Sequence, residues 1–271
     1  MLTFIDQMGQ KLNGTVEYTI KVLLMIYLSF RATFLDQAQG MRTIIGVVSA
    51  QIYFTGWQAM PLISILALAT GSITILQSHT QLSLLGGSMM IGNLLIVIMV
   101  REIGPLLTAM VVVARSGSAV ATEVGNMRAN REIEALESLG INPLSFIVFP
   151  RIVGGIISLI CLSFYFVLIA LNGGFLLTRI INEMPLSFYL NSLVQALTIE
   201  DMFLFLIKTG FSGLIIFSIS SYQGLQVKRS HHEVPQVTTK AVVDSIILVT
   251  LFNMSVTAVF YLEQLALLGN V

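Results

Sequence analysis

Residues 88–114 read SMMIGNLLIVIMVREIGPLLTAMVVVA, an apolar run interrupted only by the adjacent charged pair Arg101 and Glu102. A bilayer core about 30 Å thick is crossed by about 20 mainly apolar residues in a helix, so this run is long enough to span. Four more runs share the pattern: Ala59 to Gln77, Ile147 to Leu171, Met202 to Tyr222 with Lys208 inside, and Ala241 to Leu262 with Asp244 inside. They are apolar on every side and lack the period-two alternation of a transmembrane barrel strand. The expected fold is therefore an all-α membrane protein with five transmembrane helices.

Composition agrees. Of 271 residues 55% are hydrophobic and 28 are charged, against about 68 for a soluble domain carrying the usual quarter. Fourteen Lys and Arg balance fourteen Asp and Glu, so no net field favours nucleic acid as a partner. The single cysteine, Cys161, has apolar neighbours and no partner for an internal disulfide.

The run before the first span is uncharged from Ile44 to Leu76, but Gly56, Gln58 and Pro61 interrupt it. Proline lacks a backbone donor and disfavours helix in the residue before it. Ile44 to Thr55 is thus expected along the interface, with the spanning helix starting near Pro61. Upstream, Ile5, Met8, Leu12, Val16, Ile20, Leu23, Tyr27, Phe30 and Phe34 recur at helical spacing. Residues 1–43 are read as an amphipathic helix on the cytoplasmic leaflet, or else as a cytosolic helix packed on protein; residues 44–271 form the five-helix domain. No signal-peptide pattern is read at the N-terminus and no internal repeat along the chain.

Eleven of the fourteen basic residues fall before the first span, around the second connection or before the last span, and only Arg179 lies in the alternate loops. The positive-inside rule then places the N-terminus in the cytoplasm and the C-terminus outside.

The second connection, Asn130 to Pro143, reads NREIEALESLGINP. It is too short and charged to cross a membrane. Asn130 is the expected N-cap, Glu132 and Glu134 suit the helix N-terminus, and Gly140 with Asn142-Pro143 ends the helix. Ile133, Leu136 and Leu139 or Gly140 share one side, with Arg131, Glu134 and Glu137 on others. Such a helix is suited to receive force from a cytoplasmic partner, or it simply closes a loop. Gly117, Ala121 and Gly125, like Ala114, Ser118 and Thr122, recur every four residues and permit close helix approach, within one subunit or between two.

Several chemistries have no residues to carry them. No Gly-Lys pair exists to build a phosphate-cradling P-loop, and neither G-x-S-x-G nor H-E-x-x-H occurs. His231, His232 and Glu233 form the one histidine cluster, read as solvated, and His79 is read as a water-facing cap at the outer end of the first span.

The stretch Arg101 to Pro150, REIGPLLTAMVVVARSGSAVATEVGNMRANREIEALESLGINPLSFIVFP, closely resembles the signature of the MlaE-type permeases. Ser220 to Val243 carries SSYQGLQVK and VTTKAVV, similar to that family's Y-x-G and A-T-T-x-A-V-V elements. Arg229 to Pro235, RSHHEVP, departs from the glycine-rich turn that many members have there. The resemblance implies the membrane subunit of a lipid ABC transporter of the inner membrane: a homodimer gripped from the cytoplasm by two ATPase subunits, with an MCE-domain protein outside and room for an accessory cytoplasmic subunit. Phospholipid or a related lipid is the implied cargo. ATP and magnesium are expected on the ATPase, with no cofactor in this chain.

Under that reading the helix at about 130–140 is the coupling helix, with Arg128, Arg131, Glu132, Glu134, Leu136, Glu137, Leu139 and Gly140 as its contact residues. Arg101 and Glu102 would line a lipid cavity between two copies, with Pro105 loosening the helix beyond them. The alternative for the charged pair is an intramolecular role, with Lys208 or Asp244 as partner. Rival functions are a membrane-embedded lipid enzyme and a scaffold that only anchors an ATPase complex.

Overall fold

The computed structural model describes residues 2–35, 41–84, 91–179, 185–228 and 230–269. Side chains are described from Glu17 onward, except near some segment ends. The side chains of the early stripe Ile5, Met8, Leu12 and Val16 and of His79, the assigned cap, lie outside that description, and Arg229 in the departing loop lies outside the described residues.

Among the described residues every regular element is helical: α1 (Leu2–Leu35), α2 (Met41–Thr55), α3 (Met60–Leu84), α4 (Ile91–Ala129), α5 (Glu132–Ser138), α6 (Phe149–Arg179), α7 (Leu186–Ala196), α8 (Ile199–Leu225) and α9 (Val234–Gly269). Five stretches are long and apolar enough to cross a membrane: Arg42–Ser78, Ile91–Ala129, Leu144–Leu176, Ile199–Leu225 and His231–Glu263. Each outruns its apolar run because the backbone ladder continues past the hydrocarbon boundary. Thus Arg115, Glu123 and Arg128 ride on α4 rather than in a loop.

The break at Gly56 is present as a single 3-10 turn, Trp57–Ala59, with Pro61 in the first turn of α3, where its missing donor costs nothing. Ile44 to Thr55, expected as a separate interfacial segment, instead runs on with α3 as one long apolar stretch, Arg42–Ser78. Val48 and Gln51 of α2 lie against Gly154, Ser64 of α3 bonds Tyr165 at 2.7 Å, and Gly71 abuts Ala170, so α2 and α3 together follow α6. Glycine makes that contact possible: a Cβ on Gly71 would sit 2.1 Å from the Ala170 carbonyl oxygen. Between α6 and α8, a Cβ on Gly155 would sit 2.1 Å from the Phe217 ring.

The small stripe of α4 is spent inside the subunit. Gly117 faces Ile216 and Ser220 of α8, Gly125 faces Val227 and Val234, and Gly224 abuts Ala121 and Val124. Helix α9 packs along a single row, Ala241, Ser245, Val249 and Asn253, and leaves Val243, Ile247, Leu251 and Met254 uncovered.

Helix α1 docks by Val22, Met25, Ser29 and Ala32, whereas Ile20, Leu23 and Tyr27 of the anticipated stripe are exposed. The mixed sequence supplies two apolar faces, and the face with small residues makes the protein contact. Phe30 and Phe34 meet Phe149 edge-on at one end, and Tyr18 meets Tyr222 at the other.

Helix α7 was not anticipated. Tyr189 holds it: buried, stacked on Phe175 with ring centroids 4.5 Å apart, and donating its hydroxyl to the Leu171 carbonyl at 2.9 Å.

Candidate functional site

Three features carry the site: a buried ionic cluster, a short helix at the opposite end of α4, and a latch between α1, α8 and α9.

The cluster forms where α4 widens into a π-helical stretch, Ile96–Ile103, a geometry frequent at functional sites. Pro105 follows the turn, at the start of the regular α-helical stretch Gly104–Val112. Having no N–H, it leaves the Arg101 carbonyl without its usual helical donor, and Lys208 of α8 donates its Nζ to that carbonyl at 2.7 Å. The same ammonium reaches Glu102 Oε1 at 2.9 Å and Thr257 Oγ1 of α9 at 2.7 Å. Thr257 lies 3.1 Å from both Glu102 oxygens. Lys208 is 1% exposed and Glu102 39%, so the cation is sealed in while the carboxylate keeps an open side.

Arg101 turns the other way. Its Nε pairs with Asp201 Oδ1 at the start of α8, and its guanidinium lies over the Phe260 ring, 5.1 Å from the centroid. Asp201 has no exposed side chain and also caps α8, its Oδ2 accepting from the Thr198 backbone at 2.9 Å and hydroxyl at 2.8 Å. Two opposite-charge pairs on adjacent residues thus stitch α4 to α8 and α9. Lys208 was anticipated as an intramolecular partner; Asp244 is engaged by Gln223 instead. Sequence reading missed Asp201, although Thr198 followed three residues later by an acid is a readable capping box. It also missed Thr257 and Phe260, for which no sequence signal exists.

At the other end, α4 stops at Ala129 with Asn130 as its C-cap, not as the N-cap of α5. Arg131 takes the left-handed conformation, φ 61°, and serves as the N-cap of α5. A non-glycine residue there is strained, and the reversal turns α5 sharply off α4. Gly140 ends the helix as expected: at φ +75° its N–H donates to the Glu137 carbonyl at 3.0 Å, and Ile141 donates to the Leu136 carbonyl at 3.0 Å. This is a Schellman cap. Ile133 is buried and Leu136 half-buried, while Leu139 is 75% exposed. Arg128 Nη1 holds Glu134 at 3.1 Å, and Arg151 Nη2 holds Glu123 at 2.8 Å, tying α5 and the start of α6 to α4. Glu132 accepts from the Asn130 amide at 3.1 Å. Of the acids, Glu137 is exposed and has no ion-pair partner among the described residues.

The latch explains the Y-Q-G element. Tyr222 packs on Tyr18, Gly224 on α4, and Gln223 Nε2 donates to both Tyr18 hydroxyl at 3.2 Å and Asp244 Oδ2 at 2.9 Å. Burial pushes the Tyr18 phenol up.

Among the described residues no group of three or more His, Cys, Asp or Glu is placed to hold a metal. His231 and His232 are exposed and sit in a 3-10 turn with Glu233.

Comparison with known proteins places these features. The family model described as Permease MlaE matches residues 48–259, which include both ionic pairs, α5 and the Y-Q-G element. A probable ABC transporter permease protein of Rickettsia bellii is 31% identical over 79% of this chain and 83% of its own length. A probable ABC transporter permease protein of Synechocystis is 29% identical over 81% of each chain. The intermembrane phospholipid transport system permease protein MlaE of Haemophilus influenzae is 27% identical over 78% of this chain and 81% of its own. The match covers well over half the sequence: this chain belongs to the MlaE permease family and is a transporter component rather than an enzyme.

Proposed function

We propose that the chain is the transmembrane subunit of an inner-membrane ABC transporter that moves phospholipid between that membrane and an MCE-domain partner. The observation that carries this reading is α5: a seven-residue helix turned sharply off a spanning helix, seated by Ile133 and presenting Leu139 outward. In this reading α5 is the coupling helix in the groove of a cytoplasmic ATPase, which holds the ATP and magnesium. The cytoplasmic position of the N-terminus and the outer position of the C-terminus follow from the basic residues. The uncovered flank of α9 is a surface on which a second copy would pack. The exposed stripe of α1 would lie in the lipid headgroup region.

The route for force is continuous. Pressure on α5 reaches α4 through the Arg128–Glu134 pair and α6 through Arg151–Glu123. Helix α4 then carries it to the π turn that holds Arg101 and Glu102. Glu102, the partly exposed member of the cluster, faces the cavity between copies, and Arg101 and Pro105 shape its wall. Each state of the cycle must bind lipid differently for ATP to drive transport.

Purifying the tagged protein in mild detergent and identifying co-eluting polypeptides and lipid by mass spectrometry tests the assembly. An ATPase, an MCE-domain chain and phospholipid are the expected companions. Lipid movement by this chain alone, in vesicles without nucleotide or other subunits, would overturn the proposal. For α5, Leu139→Asp is expected to weaken ATPase co-purification by roughly 30-fold, the effect of about 2 kcal/mol at an interface hot spot. Glu137→Lys should act in the same direction, and both variants should keep the wild-type elution profile. Unchanged ATPase binding by both would remove α5 from the coupling role.

A further inference from the structure

A second π-helical stretch of α4, Val113–Gly117, carries Arg115 to the break between α2 and α3. Its Nη1 donates to the Phe54 carbonyl at 2.8 Å on one side of the break, and its Nη2 to Gln58 Oε1 at 3.1 Å on the other. The guanidinium also lies over the Phe54 ring, 5.0 Å from the centroid. Along its own helix Arg115 stands just past the apolar run, but its neighbours set it deeper. Gly56 at the break faces α6, with Ser158 Oγ 3.8 Å from where a Cβ would lie, and Ser158 is near the middle of the run Ile147 to Leu171. The cation is therefore level with the interior of the spans, where an ionisable residue marks a functional position by default.

The charge of Arg115 is held but not spent. Arg101, Lys208, Arg128 and Arg151 each face a carboxylate, whereas among the described residues Arg115 meets only neutral oxygen atoms and a ring. Neutral acceptors fix the orientation of the fork and leave its field intact, which is strong where the dielectric is low. Gln58 turns its carbonyl oxygen to Arg115, so its amide N–H groups are left to donate outward. Arg115 is half-buried and Gln58 exposed, and the site opens on the surface of the subunit. Its occupant is thus an anion. A second copy of this chain has none to offer at that depth. Glu102, Glu123, Asp201 and Asp244 are taken by Lys208, Arg151, Arg101 and Gln223 of their own subunit, and Glu200, Glu233 and Glu263 stand at the ends of their spans. A phosphodiester that brings its own apolar body fits such a place, and the planar fork of arginine matches phosphate oxygens two at a time.

We propose that Arg115, oriented by Phe54 and Gln58, binds the phosphate of a membrane phospholipid at the α2–α3 break. The assignment rests on the phospholipid reading above and adds a headgroup site at a different level from Arg101, whose charge Asp201 already takes.

The variant that separates this role from a structural one is Gln58→Glu. It sets a carboxylate on Arg115, keeping the hold on the break while cancelling the charge that the phosphate would meet. Arg115→Gln removes charge and hold together. In the detergent-purified complex, calorimetric titration compares dioctanoylphosphatidylglycerol, the neutral dioctanoylglycerol and inorganic phosphate. Both variants are expected to weaken the phospholipid about tenfold, the effect of losing a hydrogen bond to a charged group, and to leave dioctanoylglycerol unaltered. Gln58→Glu should melt no lower than the parent, and inorganic phosphate should not displace the lipid. Unchanged phospholipid affinity in Gln58→Glu, an equal loss for the neutral lipid, or displacement by inorganic phosphate would overturn the site. Loss of another subunit from both variant complexes would also overturn it, by giving Arg115 a protein carboxylate as partner. ATP-driven transport with unchanged phospholipid affinity in the variants overturns the site alone. Phosphate-selective binding in a complex that moves no lipid overturns the transport reading alone.

Discussion

Glu102→Leu is expected to destabilise the protein by about 3–5 kcal/mol, the cost of leaving a buried ion without its partner. The ammonium of Lys208 is 1% exposed and keeps only the Arg101 carbonyl and Thr257 as acceptors once the carboxylate is gone. Lys208→Met should cost less, about 1–3 kcal/mol, because Glu102 is 39% exposed and retains Thr257. The double variant replaces both charges with apolar groups and should recover most of the loss, since a buried pair exchanged whole is often close to neutral. Thermal unfolding in detergent, run as a double-mutant cycle, measures this. Additive losses would show that the two residues do not act as a pair. If stability returns in the double variant while lipid transport does not, the charges serve transport beyond holding α4 against α8.

The five spans and the C-terminal end of α5 were legible because they depend on local rules: length of apolar run, the Gly140 cap, and the charge of the second connection. What stayed illegible depends on three-dimensional partners. Asn130 looks like an N-cap by residue type, yet α4 runs on to Ala129, and only the left-handed Arg131 separates the two helices. The stripe Gly117, Ala121 and Gly125 announces close packing without naming its partner, which is α8 together with the start of α9. Helix α1 carries apolar residues on more than one face, so periodicity marked a stripe while small side chains chose the contact. The charged pair shows the same limit: Lys208, a lone charge inside a span, was a visible candidate for Glu102, but Asp201 reads locally as a helix cap and nothing in the sequence assigns it to Arg101. Asp244, equally plausible from composition, is turned to the latch by Gln223.

Gly71→Ala is expected to disrupt the α3–α6 contact although it adds one methyl group. The new Cβ would lie 2.1 Å from the Ala170 carbonyl oxygen and 2.8 Å from its Cα, and backbone cannot step aside as a side chain can. Gly174 lies against Gly71 in return, so the approach is reciprocal and the two helices must separate along their crossing. Overpacking of a tight core costs about 1–3 kcal/mol, and a backbone clash belongs at the upper end. Separation would also pull Ser64 from Tyr165, a bond of 2.7 Å on the same helix pair. Gly46→Ala is the control: nothing lies within 4 Å of its Cβ, and in a helix alanine is favoured over glycine by about 1 kcal/mol. The two variants should therefore shift the melting temperature in opposite directions, Gly71→Ala down and Gly46→Ala up. A Gly71→Ala protein as stable as the parent would mean that α3 and α6 are not packed backbone to backbone, and the register that follows α6 from Val48 to Gly71 would have to be abandoned.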